Sequence, residues 1–116
     1  MSVAVVIVAA GGGRRMGAPV NKIFLPLDGT PILARTIAAF EAMPIIAQIV
    51  LVAALGDFER CAALVRDGGV RKVTNTVAGG DSRHASESNG LRALAGAVAE
   101  GRVDTILVHD AVRPFV

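Results

Sequence analysis

The chain has 116 residues, of which 53% are hydrophobic and 19% charged, with a net charge of +2. This balance excludes disorder and fits one domain with a real core. Four Phe with neither Tyr nor Trp leave no aromatic platform for stacking single-stranded bases, and the Lys and Arg residues form no five-residue basic run, so a small anionic ligand fits better than nucleic acid. The apolar opening Val3–Ala10 is too short to cross a bilayer and has no basic residue before it. No membrane role is therefore expected, and a cytoplasmic protein is.

Val3–Ala9 is a continuous apolar run rich in β-branched residues, the mark of a strand buried on both faces. A glycine- and arginine-rich loop, Gly11–Val20, follows it. Thr30-Pro31 reads as the N-cap and first residue of a helix whose Ile32, Leu33, Ile37 and Phe40 share one face and which stops before Pro44. Ala47–Ala54 is a second buried strand. Asp57–Asp67 is a short helix closed by Gly68-Gly69, with the lone Cys61 as a buried small hydrophobe in its apolar pattern. Arg71–Val77 is a third strand. Gly79-Gly80-Asp81 then turns the chain into a helix on which Ala85, Leu91, Leu94, Ala95 and Val98 recur. Gly101 ends that helix, and Thr105–Asp110 is a fourth strand.

Strand and helix alternating through three crossovers imply a Rossmann-like three-layer α/β/α fold with a mainly parallel sheet. Ligands of such sheets bind beyond the carboxyl ends of the strands. Three clusters occupy those positions: Ala10–Lys22, Gly79–Ser86 and Asp110–Pro114. They are expected to meet on one edge.

The first cluster follows its strand directly, and its glycines let backbone N–H groups approach phosphate oxygens. Neither familiar fingerprint fits. Counted from Gly11, the sixth position of a dinucleotide motif is Met16, and Ala18-Pro19 stands where a P-loop needs Lys-Ser/Thr. What remains is a loop with its own cations, Arg15 and Lys22, placed to reach a triphosphate and stabilise charge on an attacked α-phosphorus. In the second cluster, backbone amides and the Ser86 hydroxyl can read the polar edge of a pyrimidine, while Asp81 or Ser82 as N-cap accounts for part of the same pattern. In the third, Asp110 at a strand tip suits Mg²⁺, which is usually held by one or two carboxylates plus phosphate oxygens and water. A turn aspartate paired with Arg113 is the plainer alternative. His109 reads as a packing or supporting residue and His84 as exposed.

These residues resemble a known family. Ala9-Ala10-Gly11-x-Gly13-x-Arg15-Met16, Lys22 with Phe24-Leu25-Pro26-Leu27, and Gly29-x-Pro31-Ile32-Leu33 are similar to the first block of the 2-C-methyl-D-erythritol 4-phosphate cytidylyltransferases. Gly79-Gly80-x-x-Arg83-x-x-Ser86 with Asn89-Gly90-Leu91, and Val108-His109-Asp110-Ala111-x-Arg113-Pro114, resemble the other two blocks. The resemblance implies the nucleotide-diphospho-sugar transferase type of fold and transfer of CMP from CTP to a sugar-alcohol phosphate, with Mg²⁺ and release of pyrophosphate. It implies Arg15 and Lys22 as catalytic residues at the pentacoordinate α-phosphate and Asp110 as the metal ligand. Ala10, Gly11, Gly13, Gly80, Asp81, Arg83, Ser86 and Asp110 would surround the nucleotide, with Arg113 supporting the Asp110 loop.

Two departures stand out. Val20-Asn21-Lys22-Ile23-Phe24 replaces the usual Pro-Lys-Gln-Tyr around the lysine, and Glu87 follows Ser86 where an apolar residue is usual. Family members also continue well past residue 116, into the acceptor pocket, further cations, a second metal carboxylate and a dimer arm. The expectation is therefore the nucleotide-binding part of a nucleotidyltransferase domain, truncated at its C-terminus and with little turnover alone, whose full-length form is a homodimer. A ribitol 5-phosphate cytidylyltransferase, a non-catalytic CTP-binding fragment, and a guanylyl- or adenylyltransferase are the alternatives.

Overall fold

The strand β1, Val3–Val8, is buried along its whole length because it lies at the centre of a sheet and has both faces covered. A computed structural model describes residues 2–10, 22–24, 26–27 and 29–111, with Lys22 and Leu27 as backbone only. β1 pairs in parallel with β4 (Ile46–Ala53) on one side and with β6 (Thr105–Asp110) on the other. β5 (Val73–Ala78) adds in parallel to the far edge of β4, giving the order β5-β4-β1-β6. Pro26–Leu27 (β2) and Thr30–Pro31 (β3) form a separate two-residue antiparallel pair.

The alternation of side chains along β1 divides the core in two. Val3, Val5, Ile7 and Ala9 face a cluster with Leu33, Ile37 and Phe40 of helix α1 (Ile32–Glu41) and Cys61 of helix α2 (Phe58–Asp67). Ala4, Val6 and Val8 face the opposite cluster, with Leu94, Ala97 and Val103. Helices α3 (Arg83–Ala93) and α4 (Ala95–Ala99) supply that layer. Helices thus cover both faces, and the three-layer α/β/α arrangement is the one expected.

Several boundaries and one face differ from the sequence reading. Thr30 and Pro31 belong to β3, and Pro31, with φ −54° and ψ 141°, is the residue before the helix and offers no side-chain cap. The pairing of Pro31 with Pro26 holds it extended, so α1 starts one residue later. A 3₁₀ turn at Leu55–Asp57 delays α2 to Phe58, and the third strand starts at Val73, two residues later than expected. The larger difference is the face of α3. Leu91 and Val98 are 41% and 46% exposed, whereas Ser86, Gly90, Leu94 and Ala97 are buried, and the helix breaks at Leu94 before α4 resumes. The cause is close approach to the sheet. A Cβ on Gly90 would lie 2.5 Å from Val6 Cγ1 and 2.9 Å from Val52 Cγ2. The β-branched side chains of β1 and β4 already fill the interlayer space, so the contacting stripe of α3 must be small.

Candidate functional site

The two crossovers through α1 and α2 carry the chain from β1 outward to β4 and β5, and the crossover through α3 and α4 returns it past β1 to β6. The direction of winding therefore reverses between β1 and β6, and the crevice beyond their carboxyl ends is where ligands of open α/β sheets sit. In this register Val8 lies opposite Asp110, and Ala111 N–H donates to the Val8 carbonyl at 3.0 Å. Ala9 N–H donates to Val52 O at 2.7 Å and Gly79 N–H to Ala53 O at 3.0 Å. Four strand tips are thereby tied at one edge.

The Gly79–Ser86 segment is built against the first tip. A Cβ on Gly79 would collide with the Ala10 Cβ, so only glycine lets the two backbones come this close. The Ser86 hydroxyl accepts from Gly80 N–H at 3.0 Å, and the Ser82 hydroxyl accepts from Ala85 N–H at 3.0 Å as the N-cap of α3. Asn89 Nδ2 donates to Ala78 O at 2.9 Å, fastening α3 to the end of β5. The capping alternative therefore falls to Ser82 rather than Asp81, which is exposed in the turn. Ser86, only 3% exposed, is committed to shaping the Gly79-Gly80 turn, a role the base-reading expectation did not include.

Arg83 joins the second cluster to the third. Its Nη1 donates to Asp110 Oδ2 at 2.8 Å and its Nε to Glu87 Oε2 at 2.9 Å. The hydrogen bonds to Glu87 and Asp110 push the guanidinium above its already high ordinary value, so it stays a fixed positive charge. The carboxylate of Asp110 thus bonds Arg83; the alternative pairing with Arg113 lies outside the described residues. His109 packs edge-on against the Phe40 ring with centroids 5.3 Å apart, in the packing role expected, and His84 is exposed. Cys61 is fully buried, and desolvation, with a smaller contribution from the Asp57 carboxylate, raises its thiol to about 11. It remains protonated and unreactive.

Of the site residues singled out in the sequence, Ala10, Gly80, Arg83, Ser86 and Asp110 are gathered at the β1/β6 crevice. Lys22 begins a 3₁₀ turn, Lys22–Phe24, whose Ile23 is buried beside Leu33. Arg15, Gly11, Gly13 and Arg113 lie outside the described residues. Glu87 and Asn89 were not singled out as site residues. The four-residue spacing of Arg83 and Glu87 was the available sign for one; no local spacing marks the other.

The family model for 2-C-methyl-D-erythritol 4-phosphate cytidylyltransferase matches residues 3–116. The chain belongs to this family. Cytidylyltransferases of that name from Geobacter metallireducens and Geotalea uraniireducens are 47% and 43% identical to it across its whole length, covering 50% and 49% of their own. A crystal structure of 4-diphosphocytidyl-2C-methyl-D-erythritol synthase from Anaerococcus prevotii superposes with a TM-score of 0.77 at 26% identity, over 98% of this chain and 44% of that one. The chain therefore spans about half the length of the cytidylyltransferases it matches.

The donor set decides what kind of cation the crevice suits. Among the described residues no group of three or more His, Cys, Asp or Glu side chains converges, which is unlike a protein-only cage. Asp110, 19% exposed at a strand tip, offers a single carboxylate facing the cluster edge. Mg²⁺ is usually held by one or two carboxylates with phosphate oxygens and water, and Asp110 is the strand-tip carboxylate that would take that part. No described helix is long and apolar enough to cross a membrane.

Proposed function

We propose that this chain is the CTP-binding part of an enzyme that transfers CMP from CTP to 2-C-methyl-D-erythritol 4-phosphate and releases pyrophosphate. The observation that carries the reading is the meeting of Ala10, Gly79–Ser86 and Asp110 at the reversal point of the sheet, in a chain matched by the family along residues 3–116. In the reaction a phosphate oxygen of the acceptor attacks the α-phosphorus of CTP as the bond to the pyrophosphate oxygen breaks. No covalent enzyme intermediate is needed, and catalysis is alignment plus charge neutralisation.

In this reading Arg15 and Lys22 donate to the α-phosphate oxygens as negative charge spreads over them. Loss of one such donor slows turnover by about 10²–10³-fold. The Ala10–Gly13 backbone cradles the phosphates. The Gly80–Ser86 turn meets the cytidine, with Ser86 holding the turn in shape, and Arg113 supports the Asp110 loop. Asp110 would hold Mg²⁺, whose chemistry is to screen the triphosphate and the departing pyrophosphate. A homodimer for the complete protein and a cytoplasmic location belong to the same reading.

The test is calorimetry with CTP and Mg²⁺ on the complete gene product carrying this sequence, followed by a pyrophosphate-release assay with a panel of acceptors, including ribitol 5-phosphate. CTP-selective binding, with release only on addition of 2-C-methyl-D-erythritol 4-phosphate, is the expected result. Preference for GTP or ATP would end the proposal. Binding of CTP with no release by that gene product would overturn the transferase reading.

A further inference from the structure

The turn that begins at Lys22 is three residues long, Lys22–Phe24, and has 3₁₀ geometry. Such turns are short and their hydrogen bonds poorly aligned, so its position depends on what its side chains touch. Ile23 is fully buried in the cluster with Leu33 and Ile37, and Phe24 is half-buried at the rim of the same cluster. Phe24 is met again from α2: the Arg60 Cζ stands over its ring, 5.5 Å from the centroid. Arg60 is the neighbour of Cys61, which is fully buried in that cluster, so the point from which it reaches out is fixed. Its Nη1 also lies 4.0 Å from Asp57 Oδ1, with the arginine 49% and the aspartate 15% exposed. A guanidinium over an aromatic face is attracted by the ring quadrupole, and the Asp57 carboxylate keeps that guanidinium near the start of α2.

We propose that Arg60 is a positioning residue for Lys22: lying over Phe24, it clamps the turn whose first residue is Lys22 and so aligns that lysine for the transfer step. Ile23 sets the depth of the turn, but a single anchored side chain leaves a turn able to pivot. The Arg60–Phe24 contact, one residue further on, opposes that pivot, and Lys22 shares the same three-residue backbone segment. The inference rests on the catalytic role proposed for Lys22, and its test separates the two. Alignment of this kind bears on the chemical step rather than on nucleotide binding. Its size is bounded by the contact itself, which at a half-exposed site corresponds to about a two- to fivefold change.

The single-turnover rate of CMP transfer to 2-C-methyl-D-erythritol 4-phosphate at saturating CTP and Mg²⁺ is measured on the complete gene product carrying this sequence, with CTP affinity from calorimetry. Arg60→Met keeps the apolar stem and removes the cation. It is expected to lower the rate about two- to fivefold and to leave CTP affinity unchanged. Phe24→Leu, which removes the ring face, is expected to do the same, and the two together to do no more than either alone. Arg60→Lys and Phe24→Tyr keep a cation and a ring and are expected to keep most of the rate. In a Lys22→Ala background Arg60→Met is expected to change nothing further. Should Arg60→Met not fold, Phe24→Leu in the parent and in Lys22→Ala gives the same discrimination. A parent rate in Arg60→Met beside a rate lost in Lys22→Ala overturns the positioning role alone. So does a loss confined to CTP affinity, or an Arg60→Met effect that persists in Phe24→Leu or in Lys22→Ala, which makes Arg60 a cation acting on the substrate directly. An unchanged rate in Lys22→Ala, or a parent without transfer, removes the reading beneath this inference and the inference with it.

Discussion

At Gly90 two preferences oppose one another. Alanine is the better helix former by about 1 kcal/mol, yet its methyl group would have to fit 2.5 Å from Val6 Cγ1 and 2.9 Å from Val52 Cγ2. Both valines are fully buried at the sheet centre and have no room to yield. Overpacking of this kind costs about 1–3 kcal/mol, so Gly90→Ala should lower the urea midpoint without a change in slope, and Gly90→Val should lower it further. Ser86 poses the complementary case. Ser86→Ala leaves Gly80 N–H without its acceptor in a half-buried turn, at a cost of about 1–2 kcal/mol, and CTP affinity measured by calorimetry should fall with it. Cys61 sets a pH limit. The unfolded thiol ionises near its ordinary 9.0, while the buried one keeps its proton until about 11, so the unfolded state binds fewer protons in between. Stability present below the lower value is lost as pH rises toward the upper one. Denaturation midpoints at about pH 8 and about pH 10.5 should separate in the parent by more than in Cys61→Ala.

The elements differ in how plainly the sequence announces them, and the reason is what each one packs against. β1 and β4 could be read from apolar runs alone because a parallel strand between two helical layers wants apolar side chains in both directions; β6 was read from a similar run, although as an edge strand it leaves Leu107 and Val108 46% and 41% exposed. α1 could be read from Leu33, Ile37 and Phe40. α3 could not, since its contact stripe is Ser86, Gly90, Leu94 and Ala97, and a search for apolar period slides one position to Ala85 and Leu91. A helix lying close on a branched sheet hides its buried face behind small residues. The start of α3 was legible only as a choice between Asp81 and Ser82. The hydrogen bond from Ala85 N–H settles it on Ser82. Ser82→Ala should therefore destabilise the fold by about 1 kcal/mol, and Asp81→Ala should leave thermal stability nearly unchanged. The same comparison in CTP binding separates a cap from a ligand contact, because only the latter moves affinity without moving stability.

At the scale of the molecule, the candidate site exists only because the winding reverses. Ala10, Gly79–Ser86 and Asp110 are far apart in the chain, and the return of the third crossover past β1 brings them to one edge. That Ala10, Gly79–Ser86 and Asp110 share one edge was legible because each follows the carboxyl end of a parallel strand, but the Arg83–Asp110 pair was not, since residues 27 positions apart announce no spacing. A ligand spanning such a site binds the folded chain and not the unfolded one, so its binding free energy adds to stability. At about one hundred times its dissociation constant the gain is about 2.7 kcal/mol, which for a domain of this size raises Tm by about 10–20 °C at 4–8 °C per kcal/mol. CTP with Mg²⁺ should produce this rise in a thermal melt, and ATP at equal concentration a much smaller one. Asp110→Asn should erase the part of the rise that depends on Mg²⁺ and keep the part due to nucleotide alone. A melt that responds equally to every triphosphate, with or without Asp110, would mean that the phosphates are held by charge alone and that the crevice between β1 and β6 does not select the base.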